Sequence, residues 1–209
     1  MAAQELGVTV NICECRTARD LTDDLDALIL PGGESTTMRI ASRYEEVLDA
    51  MYGWMSRHSQ RPVLATCAGA ILLAQPPEPM QPFIQATISR NAWGRQRESF
   101  QADIRLVGFE EFRGSVFISD SPKMGLKALE VGRSGASTVG TSFPGVFIRA
   151  PRFDRTTIKS TPVAWVDDEV VGVLEGTKLA LTFHPELTQD RTFHRWLLTT
   201  AVHSREAAR

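Results

Sequence analysis

The sequence predicts an α/β domain built on a mainly parallel sheet, and two observations carry that expectation. Short β-branched and apolar runs alternate with helix-like stretches over the first half of the chain, the pattern of βα units. The 209 residues are 43% hydrophobic, enough to bury one substantial core, so a single domain over residues 1–209 is expected. Charge then excludes a class of partner. Lys and Arg total 23 against 25 Asp and Glu, a formal net charge of −2, which leaves no basic surplus to hold nucleic acid. No apolar run approaches the roughly 20 residues needed to span a bilayer, and no signal peptide opens the chain, so a cytoplasmic protein without membrane contact is expected. The three cysteines, Cys13, Cys15 and Cys67, are too few and odd in number for a disulfide framework. Cys13-x-Cys15 without a second pair or a nearby His is a poor zinc site.

In chain order, residues 8–12 and 27–30 read as strands, 38–55 as a helix, 62–66 as a strand, and a second helix runs from Ala70 to the stop at Pro76-Pro77. The pattern then turns strand-rich, with candidates at 104–107, 116–118, 146–148, 163–166, 170–174 and 179–183. A last helix over 190–202 carries Phe193, Trp196, Leu197 and Thr200 at i, i+3, i+4 and i+7, so one face should dock on the sheet. Residues 119–142 hold Gly125, Gly132, Gly135 and Gly140 among serines with no sustained period, and a long disordered loop is expected there. Near-copies flank it, Gly114-Ser-Val-Phe-Ile118 and Gly145-Val-Phe-Ile148, and compete for one structural slot.

Three segments carry chemistry. Pro62-Val-Leu-Ala-Thr-Cys67-Ala-Gly69 runs from a strand through small residues into an apolar helix, which is the requirement of a nucleophile elbow. A sulfur at a helix N-terminus is favoured as thiolate, the form that attacks. Leu28-Ile-Leu-Pro31-Gly32-Gly33-Glu34-Ser35 is a second strand with a glycine-rich turn whose N–H groups suit an oxyanion hole, and Ser35 or Thr36 is placed to cap the following helix. It is not a phosphate loop, since no Lys follows and Glu34 repels phosphate. Phe183-His184-Pro185-Glu186 follows the last strand, so His184 can take a proton from Cys67 while Glu186 fixes its tautomer. His58, His194 and His203 sit in no such motif and read as surface or packing residues.

Together these segments resemble the glutaminase subunit family of pyridoxal 5′-phosphate synthase, a branch of the class I (triad) glutamine amidotransferases. The resemblance rests on Leu30-Pro-Gly-Gly-Glu-Ser-Thr-Thr-Met38, Thr66-Cys-Ala-Gly69, Arg90-Asn-Ala-Trp-Gly-Arg-Gln96 with Ser99-Phe100, Phe147-Ile-Arg-Ala-Pro151, and Phe183-His-Pro-Glu-Leu-Thr188 with Asp190, Arg191 and His194. These stand in family order and cover most of residues 6–198. The resemblance implies a flavodoxin-like, three-layer fold and hydrolysis of L-glutamine to L-glutamate and ammonia. The ammonia passes to a partner synthase (lyase) subunit in a hetero-oligomer. By motif, Cys67 is the nucleophile, His184 the base and acid, and Glu186 its orienter. Gly32, Gly33, Glu34, Ser35, Arg90, Ile148 and Arg149 match positions that hold glutamine. The substrate's α-carboxylate calls for a guanidinium and its ammonium for a carboxylate or carbonyl, which Arg90, Arg149 and Glu34 offer. No metal or organic cofactor is implied.

The sequence departs from the family pattern at its start. The family opens with a strand, a Leu-Gln-Gly turn and a helix that ends near a Leu-Gly-Val like Leu6-Gly-Val8. Here that strand and most of that helix have no counterpart, so a bare sheet edge and a weakened synthase contact are expected. Ala65 stands where Gly is usual and Trp93 where Phe or Tyr is usual. Two other functions compete: a non-catalytic relative acting as a binding partner, and an amidotransferase serving another synthase. A cysteine hydrolase of related fold has no need of the Arg90 and Arg149 clamp.

Overall fold

The computed structural model describes residues 1–90, 93, 99–113 and 141–207. In chain order its elements are α1 (Ala2–Glu5), β1 (Leu28–Leu30), α2 (Ser35–Glu45), α3 (Val47–Arg57), β2 (Val63–Thr66), α4 (Ala68–Ala74), β3 (Ile88–Ser89), β4 (Ser99–Leu106), β5 (Thr141–Ile148), β6 (Arg152–Phe153), β7 (Thr161–Val166), β8 (Glu169–Glu175), β9 (Lys178–Leu181) and α5 (Thr192–Ala207). A seven-stranded sheet runs in the order β1-β2-β9-β8-β7-β4-β5, and β3 pairs with β6 in a separate ladder. The expected α/β architecture is present. β1, β2 and β9 form its parallel part, and the strand-rich half extends it as antiparallel β8, β7, β4 and β5.

Alternation along the strands makes the three layers. Val63, Ala65 and Ala180 face Tyr52, Trp54 and Met55 of α3 and Ile71 and Leu73 of α4. Leu64, Leu179 and Leu181 face Phe193, Trp196 and Leu197 of α5. Parallel strands covered on both faces read as unbroken apolar runs, and β2 and β9 are buried at every position. The α5 face is aromatic: Phe193 meets Phe143 at 4.9 Å, Phe109 at 5.2 Å and Phe183 at 5.7 Å between ring centroids. Each such buried ring contributes on the order of 1.5–3 kcal/mol.

Several elements differ from expectation for local physical reasons. The helix expected over 38–55 is two helices, because Glu46 adopts φ 53° and turns the chain, with the Ser42 hydroxyl accepting from the Leu48 N–H at 2.8 Å. Residues 8–12 form no strand: they lie half to fully exposed with no regular structure, Ile12 at 87% exposure. β1 is the margin of the sheet, and no described strand pairs with its outer side. α1 is anchored instead to α5, through Arg195 and Glu5 at 2.5 Å. β5 begins at Thr141, inside the span expected to be a loop, because it pairs with β4 from Leu106↔Thr141 to Ser99↔Ile148. It takes up the second near-copy, Gly145–Ile148, while the first copy, the strand expected over 116–118 and most of the 119–142 span lie outside the described residues. Among the described residues no helix is long and apolar enough to cross a membrane.

Candidate active site

Only Cys67 separates the end of β2 at Thr66 from the start of α4 at Ala68. Its backbone therefore makes the whole turn, at φ 48° and ψ −107°. A non-glycine residue held there costs on the order of 1–3 kcal/mol, so the surroundings must impose it. The Cys67 N–H donates to the Leu181 carbonyl at 2.8 Å, which fixes the elbow to β9. Close packing of α4 on β1 does the rest. A Cβ at Gly69 would lie 2.3 Å from the Leu30 carbonyl oxygen, so no larger residue fits. The helix thus starts two residues earlier than the sequence suggests.

β1 ends at Leu30 and delivers the Pro31-Gly32-Gly33 turn beside the elbow. Gly32 is wedged between Cys67 and His184: a Cβ there would lie 2.4 Å from His184 Cε1 and 3.3 Å from Cys67 Cβ. The cap of α2 is Glu34 rather than Ser35 or Thr36. Its carboxylate accepts from the Thr36 N–H at 3.1 Å, the Thr37 N–H at 2.6 Å and the Thr37 hydroxyl at 2.7 Å. Those bonds, the Thr37 pair foremost, hold its pKa down at about 2. Glu34 also lines the cleft, so its ionised carboxylate caps the helix and borders the site at once. Ser35 is buried beside it.

His184 stands three residues past the end of β9, and its N–H donates to the Val146 carbonyl of β5 at 2.8 Å. Its Nδ1 lies 2.7 Å from Glu186 Oε1, leaving Nε2 for the sulfur. Hydrogen bonds to Cys67 and then Glu186 raise the imidazole to about 9, against burial. Burial pushes the Glu186 carboxyl up, but its bond to His184 prevails and the group ends below its ordinary value.

The cleft over this group has a volume of about 190 Å³ and is lined by Cys67 and His184, by Gly33, Glu34 and Ser35, and by Arg90, Ile148 and Arg149. Gly32, between Cys67 and His184, and Glu186, bonded to His184, adjoin the cleft without lining its wall. Arg90 donates to the Thr36 hydroxyl. Arg149 adopts φ 42°, another left-handed non-glycine residue, at the end of β5. The Ile148 carbonyl stands 4.0 Å from Cys67 Sγ and so opens toward the cleft. Every residue expected at the site is therefore at the cleft or adjoining it. Sequence reasoning did not assign Ala68, Ile71 and Pro151 to the site, though they line the cleft. Ile71 had a signal, since it is four residues past Cys67 on the same helical face. Of the other histidines, His58 pairs with Asp23 at 2.8 Å and His203 is exposed, while the half-buried His194 has no partner for its Nδ1 among the described residues. Among the described residues no group of three or more His, Cys, Asp or Glu side chains is arranged to hold a metal.

A cysteine elbow on a parallel sheet, faced by a histidine–carboxylate pair and two cleft arginines, fits the class of glutamine amidotransferases. The chain belongs to the SNO glutamine amidotransferase family, which matches residues 8–129 and 127–203. It is 35% identical over 208 residues to the pyridoxal 5′-phosphate synthase subunit PdxT of Thermococcus onnurineus, covering 96% of this chain and 89% of that one. To PdxT of Methanosphaerula palustris it is 36% identical over 199 residues, with 92% and 82% covered. A crystal structure of a glutamine amidotransferase superposes with a TM-score of 0.68 at 35% identity, covering 96% of this chain and 90% of that chain.

Proposed function

We propose that this chain hydrolyses glutamine at Cys67 and hands the ammonia to a synthase subunit that makes pyridoxal 5′-phosphate. The observation that carries the reading is the convergence of Cys67, the His184–Glu186 pair and the two arginines on one cleft. Glutamine's α-carboxylate meets the Arg90 and Arg149 guanidiniums, and its ammonium meets the Ile148 carbonyl and the ionised Glu34 on the same cleft. The Cys67 sulfur attacks the side-chain amide carbon, and the developing oxyanion is received by backbone N–H groups of the Gly32-Gly33 turn. His184, raised to about 9, carries its proton at neutral pH and gives it to the departing ammonia. The C–N bond breaks and a thioester remains. His184, now neutral, takes a proton from water as the water attacks the thioester. Glutamate leaves, and sulfur and imidazolium are restored. Glu186 holds the imidazole through Nδ1 and stabilises its cation.

The partner assignment is supported by the relatives, which are named as subunits of pyridoxal 5′-phosphate synthase. A cytoplasmic setting suits three free thiols, Cys13 exposed among them. The test is glutamine-dependent release of glutamate and ammonia by the chain, alone and with a pyridoxal 5′-phosphate synthase subunit, beside Cys67→Ala. Release that rises with the partner and disappears in the variant is expected. Release that persists in Cys67→Ala, or is absent from a folded chain bound to the synthase, overturns the reading.

A further inference from the structure

The two glutamine arginines come from segments 59 positions apart in sequence, Arg90 and Arg149, yet share one cleft. What joins them is the small ladder outside the main sheet. β3 ends immediately before Arg90, and β6 begins just past Pro151, with Ser89 opposite Arg152 and Ile88 opposite Phe153. A two-stranded ladder this short has little stability of its own, so its position depends on what it is fastened to.

The fastening is specific. Arg152 makes a two-pronged ion pair with Glu169, Nε to Oε2 at 2.9 Å and Nη2 to Oε1. Glu169 is the first residue of β8, so the pair ties the ladder to the main sheet. The other face of the guanidinium lies 5.5 Å from the Trp93 ring centroid. Trp93 in turn donates from its indole N–H to the Pro151 carbonyl at 3.2 Å, and meets Phe147 of β5 at 5.7 Å. One guanidinium thus touches both the segment that follows Arg90 and the sheet that carries Arg149. A bidentate fork fixes angle as well as distance, which a lysine in its place cannot do.

We infer that Arg152, gripped by Glu169 and covered by Trp93, is a positioning residue for glutamine, setting the spacing of Arg90 and Arg149 without itself lining the cleft. The inference rests on the glutaminase reading and adds to it the device that fixes the arginine clamp. Loss of the grip weakens substrate capture and leaves the Cys67 elbow intact, since β2 and α4 make no use of it.

The experiment is steady-state glutaminase kinetics of the chain with its synthase subunit, for Glu169→Gln, Arg152→Lys and the reversed pair Arg152→Glu with Glu169→Arg. Each single variant is expected to raise KM for glutamine roughly tenfold with kcat within about twofold, and the reversed pair to recover part of that rise. A second readout does not need turnover: alkylation of Cys67 by iodoacetamide, with and without glutamine. The bare alkylation rate should match wild type, while the glutamine concentration giving half-protection should rise in step with KM. An unchanged KM overturns the inference, as does a bare alkylation rate that falls with activity, because that marks general damage. If wild type is neither active nor protected by glutamine, it is the glutaminase reading that fails.

Discussion

The parallel and antiparallel parts of the sheet contribute to the cleft in different ways. In the parallel part, Gly32, Cys67 and His184 each follow the end of a strand by one to three residues, on β1, β2 and β9, which are mutual neighbours. Cys67 and His184 follow β2 and β9, which are buried at every position, while Gly32 follows the edge strand β1, all at the carboxyl ends where open α/β sheets place their ligands. The antiparallel part supplies Ile148 and Arg149 at the end of β5, the outermost strand, and Arg90 arrives through a ladder of its own. On the proposed reading, the atoms that make and break bonds follow the three parallel strands at one side of the sheet. The charges that hold the substrate come from the opposite margin and from the separate ladder, and depend on long-range anchors.

That contrast predicts its largest effect at the elbow. Cys67→Ala should lower glutaminase activity by at least roughly 10³-fold with the fold retained, as judged by ammonia release and circular dichroism. Gly32→Ala comes next, at about 100-fold in kcat/KM, because its Cβ would strike His184 Cε1 at 2.4 Å and displace the imidazole. Its neighbour in the same part of the sheet, Gly69→Ala, should act on stability instead. There the added Cβ meets the Leu30 backbone at 2.3 Å, and denaturant unfolding should register a loss of about 1–3 kcal/mol. If Gly32→Ala destabilises as much as Gly69→Ala while leaving kcat/KM alone, the division between reacting atoms and packing is wrong.

The same division governs what could be read before the structure. The elbow, the glycine turn and the His-Pro-Glu segment are local: strand, turn and reacting residue lie within a few positions, so period and residue type reveal them together. Helix α5 was legible for a similar reason, since Phe193, Trp196 and Leu197 repeat at helical spacing and all face the sheet. The ladder of β3 and β6 was not, because two residues per strand show no period and the pairing spans Ile88 to Phe153. β5 was read short, as its first half holds Pro144 and follows a glycine-rich stretch, and only its pairing with β4 reveals the full strand. The cap of α2 was not legible, because residue type pointed to Ser35 or Thr36, whereas Glu34 stands at the N-cap and accepts from the Thr36 and Thr37 N–H groups.

At the margin the expected effects are smaller and of another kind. Arg149→Ala should raise KM for glutamine by about tenfold and change kcat little, because on the proposed reading the lost guanidinium binds a carboxylate that takes no part in the bond changes. A kcat that falls as far as KM rises would give Arg149 a share in the chemistry and erase the contrast.

The least of the effects is a slope with pH, and it separates the two parts of the sheet by stability alone. His184 rises from 6.5 to about 9 in the folded chain, first through Cys67 and then through Glu186. A group whose folded pKa is raised contributes stability that is fully present below 6.5 and is lost as pH climbs through about 9. The melting temperature of wild type should therefore decline across that window. Glu186→Gln should flatten the decline, since the neutral amide no longer favours the imidazolium at 2.7 Å. Arg149→Ala should leave the slope as it is, because Arg149 is not among the groups that raise His184. A slope that flattens equally in both variants would mean that the charge on His184 is set by the cleft as a whole rather than by its two neighbours in the parallel part.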